Sequence, residues 1–325
     1  MQIFITGASG FVGGAFARHA GRHHMLAAMS RSEKSDAKIA ALGAAPIRCT
    51  LDNVEAEHLR GSQAVVHCAA HVEEWGPWSA YWRANVEGTR RMLKAAKAAG
   101  VRRFVHIGTE AALLHGQDLV NADETWPLAL NSPFPYSRTK AHAEKAVREA
   151  NDPASGFETI VIRPRFVWGP GDETLLPILR RMSESGQFAW IDGGRHRTST
   201  TYIGNLVYAM DLALSAGRGG EAYFVLDDGG PVAFRDFLPK MAEAAGFKLE
   251  GREVPGWVVR TMAFVAEKAW RTLPIPGQPP ITRFGANILS RDCILLDAKA
   301  RAEMGYVPPF TREEGLQALA ASSPA

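Results

Sequence analysis

The chain has 325 residues, of which 46% are hydrophobic and 22% charged, and its formal net charge is +3. At about 150 residues per domain, this length predicts two domains or one large domain with an appended lobe. The composition argues against a disordered chain, and the scattered lysines and arginines argue against a nucleic-acid partner. Three cysteines, Cys49, Cys68 and Cys293, lack the spacing of a disulfide framework or a metal site, which favours a reducing compartment.

The start of the chain predicts a cytoplasmic protein without a signal peptide. Met1–Ile5 is typical of a strand and leads directly to Gly7, which leaves no room for a charged segment followed by an apolar one. No stretch approaches the roughly 18 uninterrupted apolar residues of a membrane-spanning helix. We therefore expect no transmembrane segment.

Strand and helix signals alternate up to about residue 165. Continuous apolar runs are typical of strands buried on both faces of a parallel sheet, and helical stretches follow several of them, at Tyr81–Ala99 and Tyr136–Ala150. This succession predicts an α/β fold with a doubly wound parallel sheet of the Rossmann type. The predicted strands are Gln2–Thr6, Met25–Met29, Ile47–Thr50, Ala64–Ala69, Phe104–Ile107 and Thr159–Ile162.

The second half of the chain is less regular, and glycine and proline interrupt it at short intervals. We expect residues 1–168 to form the dinucleotide-binding domain, with 198–216 returning to it. Residues 169–325 then form a smaller substrate-binding lobe. Within that lobe, the aromatic stretch Trp257–Trp270 is either part of the core or an apolar lid over a lipid or sterol substrate.

A glycine-rich loop follows the first strand. Only glycine allows the tight turn and the close approach of a pyrophosphate to the backbone, and the N-terminus of the next helix offers free N–H groups and the positive end of its dipole. The motif therefore predicts a dinucleotide site. Its residues are Gly7, Ser9, Gly10, Phe11, Val12 and Gly13.

The end of the second predicted strand indicates which dinucleotide binds. NAD sites place a carboxylate there to hold the ribose hydroxyls, whereas this chain has Arg31 and, shortly after it, Lys34. Arginine pairs well with a 2′-phosphate. NADP(H) is therefore favoured, and NAD(H) remains possible if the two cations belong to a solvated loop.

Tyr136 and Lys140 are four residues apart, so on a helix they share one face. A free phenol has a pKa of about 10, too high for efficient proton transfer near neutral pH. A neighbouring ammonium group lowers the pKa of a phenol. The pair is thus a candidate acid/base catalyst.

With these motifs in place, the chain resembles the extended short-chain dehydrogenases/reductases, and within them the 3β-hydroxysteroid dehydrogenase-like branch. The resemblance also covers His67–Ala70, Asn85–Thr89, Arg163–Gly171 and Tyr202–Leu206. It implies that Thr109 and Asn85 join Tyr136 and Lys140 in the catalytic set, Asn85 by supporting the lysine through a helix distortion and a water molecule. The further cofactor-binding residues that it implies are Asp52, which would contact the adenine amino group, and Ala69, Ala70, Pro164 and Val167.

The implied reaction interconverts a secondary alcohol and a ketone, with Tyr136 as the proton donor or acceptor. The expected substrate is apolar: a sterol-like compound or a long-chain keto or hydroxy acid. Trp75 and Trp78 either line its site or anchor a loop. We expect no metal, and on family analogy a homodimer. A sugar-nucleotide epimerase or dehydratase using bound NAD(P) is the alternative, while a non-catalytic dinucleotide sensor fits poorly with an intact tyrosine and lysine.

Overall fold

The structure, a computed structural model, describes residues 1–322 and has a mixed α/β architecture. Its strands are β1 (Gln2–Thr6), β2 (Met25–Ser30), β3 (Ala45–Arg48), β4 (Ala64–His67), β5 (Arg103–Ile107), β6 (Leu119–Ala122), β7 (Glu158–Pro164), β8 (Val167–Trp168), β9 (Ala189–Ile191), β10 (Arg197–Thr198), β11 (Thr201–Tyr202), β12 (Glu221–Val225), β13 (Val232–Ala233), β14 (Arg252–Val254) and β15 (Cys293–Leu295).

The helices connect these strands and cover both faces of the main sheet. They are α1 (Phe11–Ala20), α2 (Glu33–Ala41), α3 (Trp78–Tyr81), α4 (Gly88–Ala98), α5 (Pro135–Glu149), α6 (Leu175–Glu184), α7 (Ile203–Leu212), α8 (Phe234–Ala244), α9 (Gly256–Thr272), α10 (Arg283–Leu289), α11 (Ala298–Met304) and α12 (Arg312–Ser322). A π-helical turn, Trp82–Glu87, joins α3 to α4. The predicted helix Tyr81–Ala99 therefore corresponds to this π-helical turn and α4, with only its first residue in α3.

Seven parallel strands form the main sheet in the order β12-β7-β5-β4-β1-β2-β3. The order reverses between β1 and β4, and in doubly wound sheets ligands bind at the carboxyl ends of the strands at such a point. The prediction of a doubly wound parallel sheet is confirmed.

The main sheet separates two apolar clusters. Ile3 and Ile5 of β1 pack into one cluster, whereas Phe4, between them, packs into the other, and all three are fully buried. Because alternate residues of a strand face opposite sides, burial of both faces requires a continuous apolar run. That requirement explains why such runs marked the central strands in the sequence.

The remaining strands form smaller sheets, of which the largest has the order β13-β10-β15-β6. In the main sheet β12 pairs with β7, and α7 packs against α1. Residues 221–225, which were assigned from sequence to the substrate lobe, thus belong to the central sheet. Conversely, β6 lies within 1–168 but pairs with β15. Within residues 1–322, no helix is long and apolar enough to cross a membrane.

Candidate active site

The glycine loop turns tightly between β1 and α1. Gly7 has a φ of +74°, and a Cβ at Gly13 would lie 2.4 Å from the Gly7 carbonyl oxygen, so neither position accommodates a side chain without strain. Ser9 and Gly10 complete the turn, and Phe11, Val12 and Gly13 form the first turn of α1. No side chain caps this helix, and its first turn carries no acidic residue. The loop therefore fits a dinucleotide pyrophosphate.

The carboxyl end of β2 presents two cations. Arg31 and Lys34 are exposed, and neither side chain forms an ion pair within the described residues. Ser32 caps α2 by accepting a hydrogen bond from the Ser35 backbone, which fixes the loop between them. The arrangement leaves one guanidinium group and one ammonium group available to an anion, although Glu33 lies between them in the chain.

Asp52, expected at the adenine, is already engaged. Its two carboxylate oxygens accept hydrogen bonds from Arg83 Nε and Nη2 at 2.9 and 2.7 Å, and Arg91 donates to it at 3.1 Å. The hydrogen bond from Arg83 lowers the pKa of Asp52. An adenine contact at this carboxylate therefore has to share it with two arginines, which the sequence did not reveal.

The segment after β4 crosses directly beneath the glycine loop. The Ala69 N–H donates to Thr6 Oγ1 at 3.0 Å, which ends the strand at His67 rather than at Ala69 as predicted. A Cβ at Gly7 would meet the Ala69 nitrogen at 3.0 Å. Ala69 and Ala70 are thus adjacent to the proposed pyrophosphate position.

Pro164 and Val167 lie two strands further along the same edge of the sheet. Pro164 is the last residue of β7, and Val167 opens β8, with Phe166 between them at a φ of +45°. The carboxyl ends of β1, β4, β5 and β7 all meet here, because parallel strands share one direction.

Tyr136 and Lys140 occupy the first two turns of α5. Lys140 is buried, and its ammonium group donates to the Ile107 carbonyl at 2.7 Å and contacts His106 Nε2 at 3.4 Å. Burial lowers the pKa of Lys140 to about 8. The fully buried His67 lies nearby, with ring centroids of the two histidines 5.3 Å apart.

The protonation of Tyr136 differs from the prediction. Its pKa is raised above the ordinary phenol value, first by burial and then by the negative charge of Glu110, while hydrogen bonding with Thr109 acts in the opposite direction. The expected lowering by Lys140 is not found, because the ammonium group is turned toward Ile107 and His106. Tyr136 therefore carries its proton at neutral pH.

Thr109 follows β5 and is held by its neighbour. Its hydroxyl donates to Glu110 Oε2 at 2.8 Å and accepts from the Ala111 N–H at 3.2 Å. Glu110 Oε1 accepts from Arg165 Nη1 at 2.6 Å, and both partners of this ion pair are buried. Thr198 Oγ1 accepts a further hydrogen bond from Arg165.

Asn85 lies inside the π-helical turn, where the distortion was expected. Its side chain accepts from the His71 N–H at 2.7 Å and donates to Thr139 Oγ1 at 3.1 Å. These hydrogen bonds join the loop after β4 to the helix that carries Lys140. Such single-turn π-bulges are frequent at functional sites.

Aromatic side chains border Tyr136. The Phe284 ring, on α10, lies 5.4 Å from the Tyr136 ring between centroids. Thr282, which caps α10, donates to Glu74 in the loop that carries Trp75. Trp78 is 42% exposed beneath the guanidinium group of Arg138. In α9 only Gly256, Val259 and Ala263 are buried, and its exposed apolar residues are Trp257, Met262, Phe264 and Val265.

Four residues at the site were not predicted from the sequence. Glu110, His106 and Phe284 contact the catalytic set, and Arg165 pairs with Glu110. Glu110 follows Thr109 directly, so its position was a signal that could have been used. The other three reach the site across chain separations that no local pattern reveals. Within residues 1–322 no group of three or more His, Cys, Asp or Glu side chains could hold a metal ion.

Similarity to known proteins assigns the chain to a family. Residues 4–255 match the 3-beta hydroxysteroid dehydrogenase/isomerase family. The 4-hydroxy-2-methyl-3-oxo-4-farnesyl-3,4-dihydroquinoline-1-oxide ketoreductase of Stigmatella aurantiaca is 40% identical over 100% of this chain and 97% of its own. The 2-alkyl-3-oxoalkanoate reductase of Stenotrophomonas maltophilia is 33% identical, with 100% of both chains covered.

Solved structures agree in fold. That of gox2253 has a TM-score of 0.78 and 27% identity, covering 98% of this chain and 97% of its own. The UDP-glucuronic acid 4-epimerase of Bacillus cereus, in complex with NAD, has a TM-score of 0.75 with 17% identity, over 99% of this chain and 98% of its own, which shows the fold alone. The chain belongs to the 3-beta hydroxysteroid dehydrogenase/isomerase family of extended short-chain dehydrogenases, and it is an NAD(P)-dependent oxidoreductase acting on CH–OH groups.

Proposed function

We propose that the protein reduces an apolar ketone to a secondary alcohol with NADPH, using Tyr136 as the acid. The observation that carries this proposal is a protonated tyrosine at the carboxyl edge of the sheet, on the same helix as Lys140 and bordered by Phe284. A protonated phenol can donate to the carbonyl oxygen of a ketone. The names of two relatives, a ketoreductase and an oxoalkanoate reductase, favour the direction of reduction.

NADPH, when bound at the glycine loop, would supply a hydride for the carbonyl carbon. Tyr136 donates its proton to the carbonyl oxygen as negative charge develops there. Lys140, held by the Ile107 carbonyl, would bind the hydroxyls of the nicotinamide ribose. Asn85 orients the helix that carries both residues, and Thr109 lies beside the reacting oxygen.

The apolar nature of the substrate is inferred from the site and from the relatives. The Phe284 ring packs against both Tyr136 and Phe134, with centroid distances of 5.4 and 5.9 Å. The names of two relatives specify a farnesyl ketone and a 2-alkyl-3-oxoalkanoate. We therefore assign this chain a ketone with a long alkyl or isoprenoid substituent.

The experiment for this function measures NADPH consumption with alkyl and prenyl ketones. We expect turnover by the parent and a fall in kcat of about 10²- to 10⁴-fold in Tyr136→Phe, the usual contribution of a general acid. Tyr208→Phe, on α7, is the matched control and should keep parental activity. Activity of Tyr136→Phe close to that of the parent would exclude this tyrosine as the acid.

For the cofactor, we propose that Arg31 and Lys34 recognise the 2′-phosphate of NADP(H). Their support is exposure without an ion pair at the end of β2. In a fluorescence titration Arg31→Ala should weaken NADPH binding about tenfold and leave NADH binding unchanged. Lys38→Ala, at the far end of α2, is the control. Tighter binding of NADH than NADPH by the parent would overturn this assignment.

We also propose a homodimer formed through α4 and α5, which lie side by side. Their outer surface carries the exposed residues Arg90, Lys94 and Lys145. Two copies would bring these cations together, so sedimentation analysis should show dimerisation that strengthens with added salt. A monomer at every salt concentration would contradict the proposal.

All three cysteines are free thiols, which supports a reducing, cytoplasmic location.

A further inference from the structure

The hydroxyl group of Thr109 has one hydrogen and two lone pairs. Its hydrogen is donated to Glu110 Oε2 at 2.8 Å, and one lone pair accepts from the Ala111 N–H at 3.2 Å. Thr109 is also hydrogen-bonded with Tyr136. Toward that residue it has one lone pair left and no hydrogen, so the phenol of Tyr136 donates and Thr109 accepts. In this arrangement it cannot donate a hydrogen bond to a substrate carbonyl oxygen.

The side chain of Glu110 is held in the orientation in which it accepts the hydrogen of Thr109. Its other oxygen accepts from Arg165 Nη1 at 2.6 Å, and Arg165 Nε donates to Thr198 at 3.0 Å. The side chains of Arg165 and Glu110 are only 3% and 5% exposed. A carboxylate accepts hydrogen bonds and donates none, so the hydrogen between Thr109 and Glu110 belongs to Thr109.

We propose that Glu110 is a positioning residue that makes Thr109 a hydrogen-bond acceptor, and that this selects ketones with a hydroxyl group on the carbon next to the carbonyl. The inference rests on the proposed ketone reduction. In such a substrate the carbonyl oxygen accepts the hydrogen bond of Tyr136, which releases the lone pair of Thr109, and the neighbouring hydroxyl then donates to that lone pair. The name of the Stigmatella aurantiaca relative places a hydroxyl beside a keto group in that enzyme's substrate.

Glu110→Gln tests this because its outcome follows from donor and acceptor chemistry. Arg165 only donates, so the glutamine carbonyl oxygen must face Arg165 and the amide NH₂ must face Thr109. The Thr109 oxygen then accepts from the amide, and its hydrogen turns toward the substrate. The substitution keeps the shape of the side chain and converts Thr109 from acceptor to donor.

The probes are an alkyl methyl ketone with a tertiary hydroxyl on the neighbouring carbon and the same ketone with hydrogen in place of that hydroxyl. For the parent we expect kcat/KM to favour the hydroxy ketone about tenfold or more, the effect of one buried hydrogen bond. In Glu110→Gln the ratio should fall to about one or reverse. Glu124→Gln, a half-buried glutamate on the segment after β6, should keep the parental ratio.

A change of ratio between two substrates is not produced by a general loss of folding, which lowers both rates together. Thr109→Val keeps the shape of the side chain and removes the hydrogen-bond acceptor, so it should also abolish the preference for the hydroxy ketone. This variant provides the test if Glu110→Gln does not fold. Equal rates on both ketones in the parent would overturn the inference while leaving the ketone reduction intact. A preference that survives both substitutions would overturn the role of Glu110 and Thr109. Turnover of neither ketone would overturn the proposed function and this inference with it.

Discussion

At the residue scale, the site depends on polar groups that are buried but satisfied. His67 is fully buried, with Thr6 Oγ1 at 2.8 Å from one ring nitrogen and Thr89 Oγ1 at 3.0 Å from the other. Burial lowers the pKa of His67 to about 3, and the charge of Lys140 acts in the same direction. The histidine is therefore neutral in the folded protein at all but very acidic pH.

This burial predicts a loss of stability in acid. The unfolded histidine takes up a proton below its ordinary pKa of 6.5, whereas the folded one does so only near 3. The contribution of His67 is thus fully present above pH 6.5 and is lost as the pH falls toward 3. By about pH 4 the loss amounts to roughly 3 kcal/mol of unfolding free energy.

His67→Gln keeps a donor and an acceptor at this position but cannot be protonated. Urea unfolding at neutral and at acidic pH should show a smaller acid-induced loss of stability in this variant than in the parent. The exposed His115→Gln is the control and should behave as the parent. An identical acid sensitivity of His67→Gln and the parent would show that other groups, such as the buried His106, account for it.

Residue-scale prediction worked where one helical turn or one loop contains the whole signal. The spacing of Tyr136 and Lys140 sufficed to place both on one face of α5. The protonation state of Tyr136 could not be predicted, since it depends on burial and on Glu110. Likewise the partners of Asp52 come from α4 and the turn before it, 31 and 39 residues away.

At the element scale, the glycines of the loop are needed for different reasons, which the sequence motif alone does not distinguish. A Cβ at Gly13 would collide with the Gly7 carbonyl at 2.4 Å, whereas a Cβ at Gly10 would meet that oxygen at an ordinary 3.4 Å. Gly13 is therefore required by the loop itself. No contact within the loop requires glycine at position 10. The absence of a side chain at Gly10 instead keeps the space in front of the helix open for a ligand.

Alanine at these two positions should have different effects. We expect Gly13→Ala to lower the unfolding free energy by about 1 kcal/mol or more, because the loop must shift. Gly10→Ala should lower stability less than Gly13→Ala, because Gly10 has a φ of −98° that any residue adopts and its Cβ would meet no atom closer than 3.4 Å. It should also weaken NADPH binding. Urea unfolding and cofactor titration of both variants measure this. A stable Gly13→Ala would contradict the close approach of α1 to the loop.

Predicted element boundaries were wrong where a side chain intervenes. β4 ends early because Thr6 captures the Ala69 N–H, and the helix after it contains a π-helical turn around Asn85. The periodicity of apolar residues in the sequence predicts neither the early end of β4 nor the π-helical turn. The distortion itself was expected only because the family resemblance implied it.

At the scale of the whole molecule, the alternation of strands and helices was sufficient to predict the parallel sheet, but not which strands complete it. β12 joins the sheet beside β7, although more than 50 residues separate them in the chain. β6 leaves the first half of the chain to pair with β15. These pairings bring the two halves together around Tyr136, where α10 of the second half supplies Phe284. Local sequence patterns carry no record of such long-range pairing.

The most direct test of ketone reduction by this protein follows the transferred hydride. NADPH deuterated at both C4 positions is incubated with a prenyl or alkyl hydroxy ketone, and the product is analysed by mass spectrometry. We expect one deuterium on the carbinol carbon, one NADPH oxidised for each alcohol formed, and product formation by Tyr136→Phe that is slower by about 10²- to 10⁴-fold. Conversion of a sugar nucleotide with no net oxidation of the cofactor, and no reduction of the ketone, would instead indicate an epimerase and contradict the account.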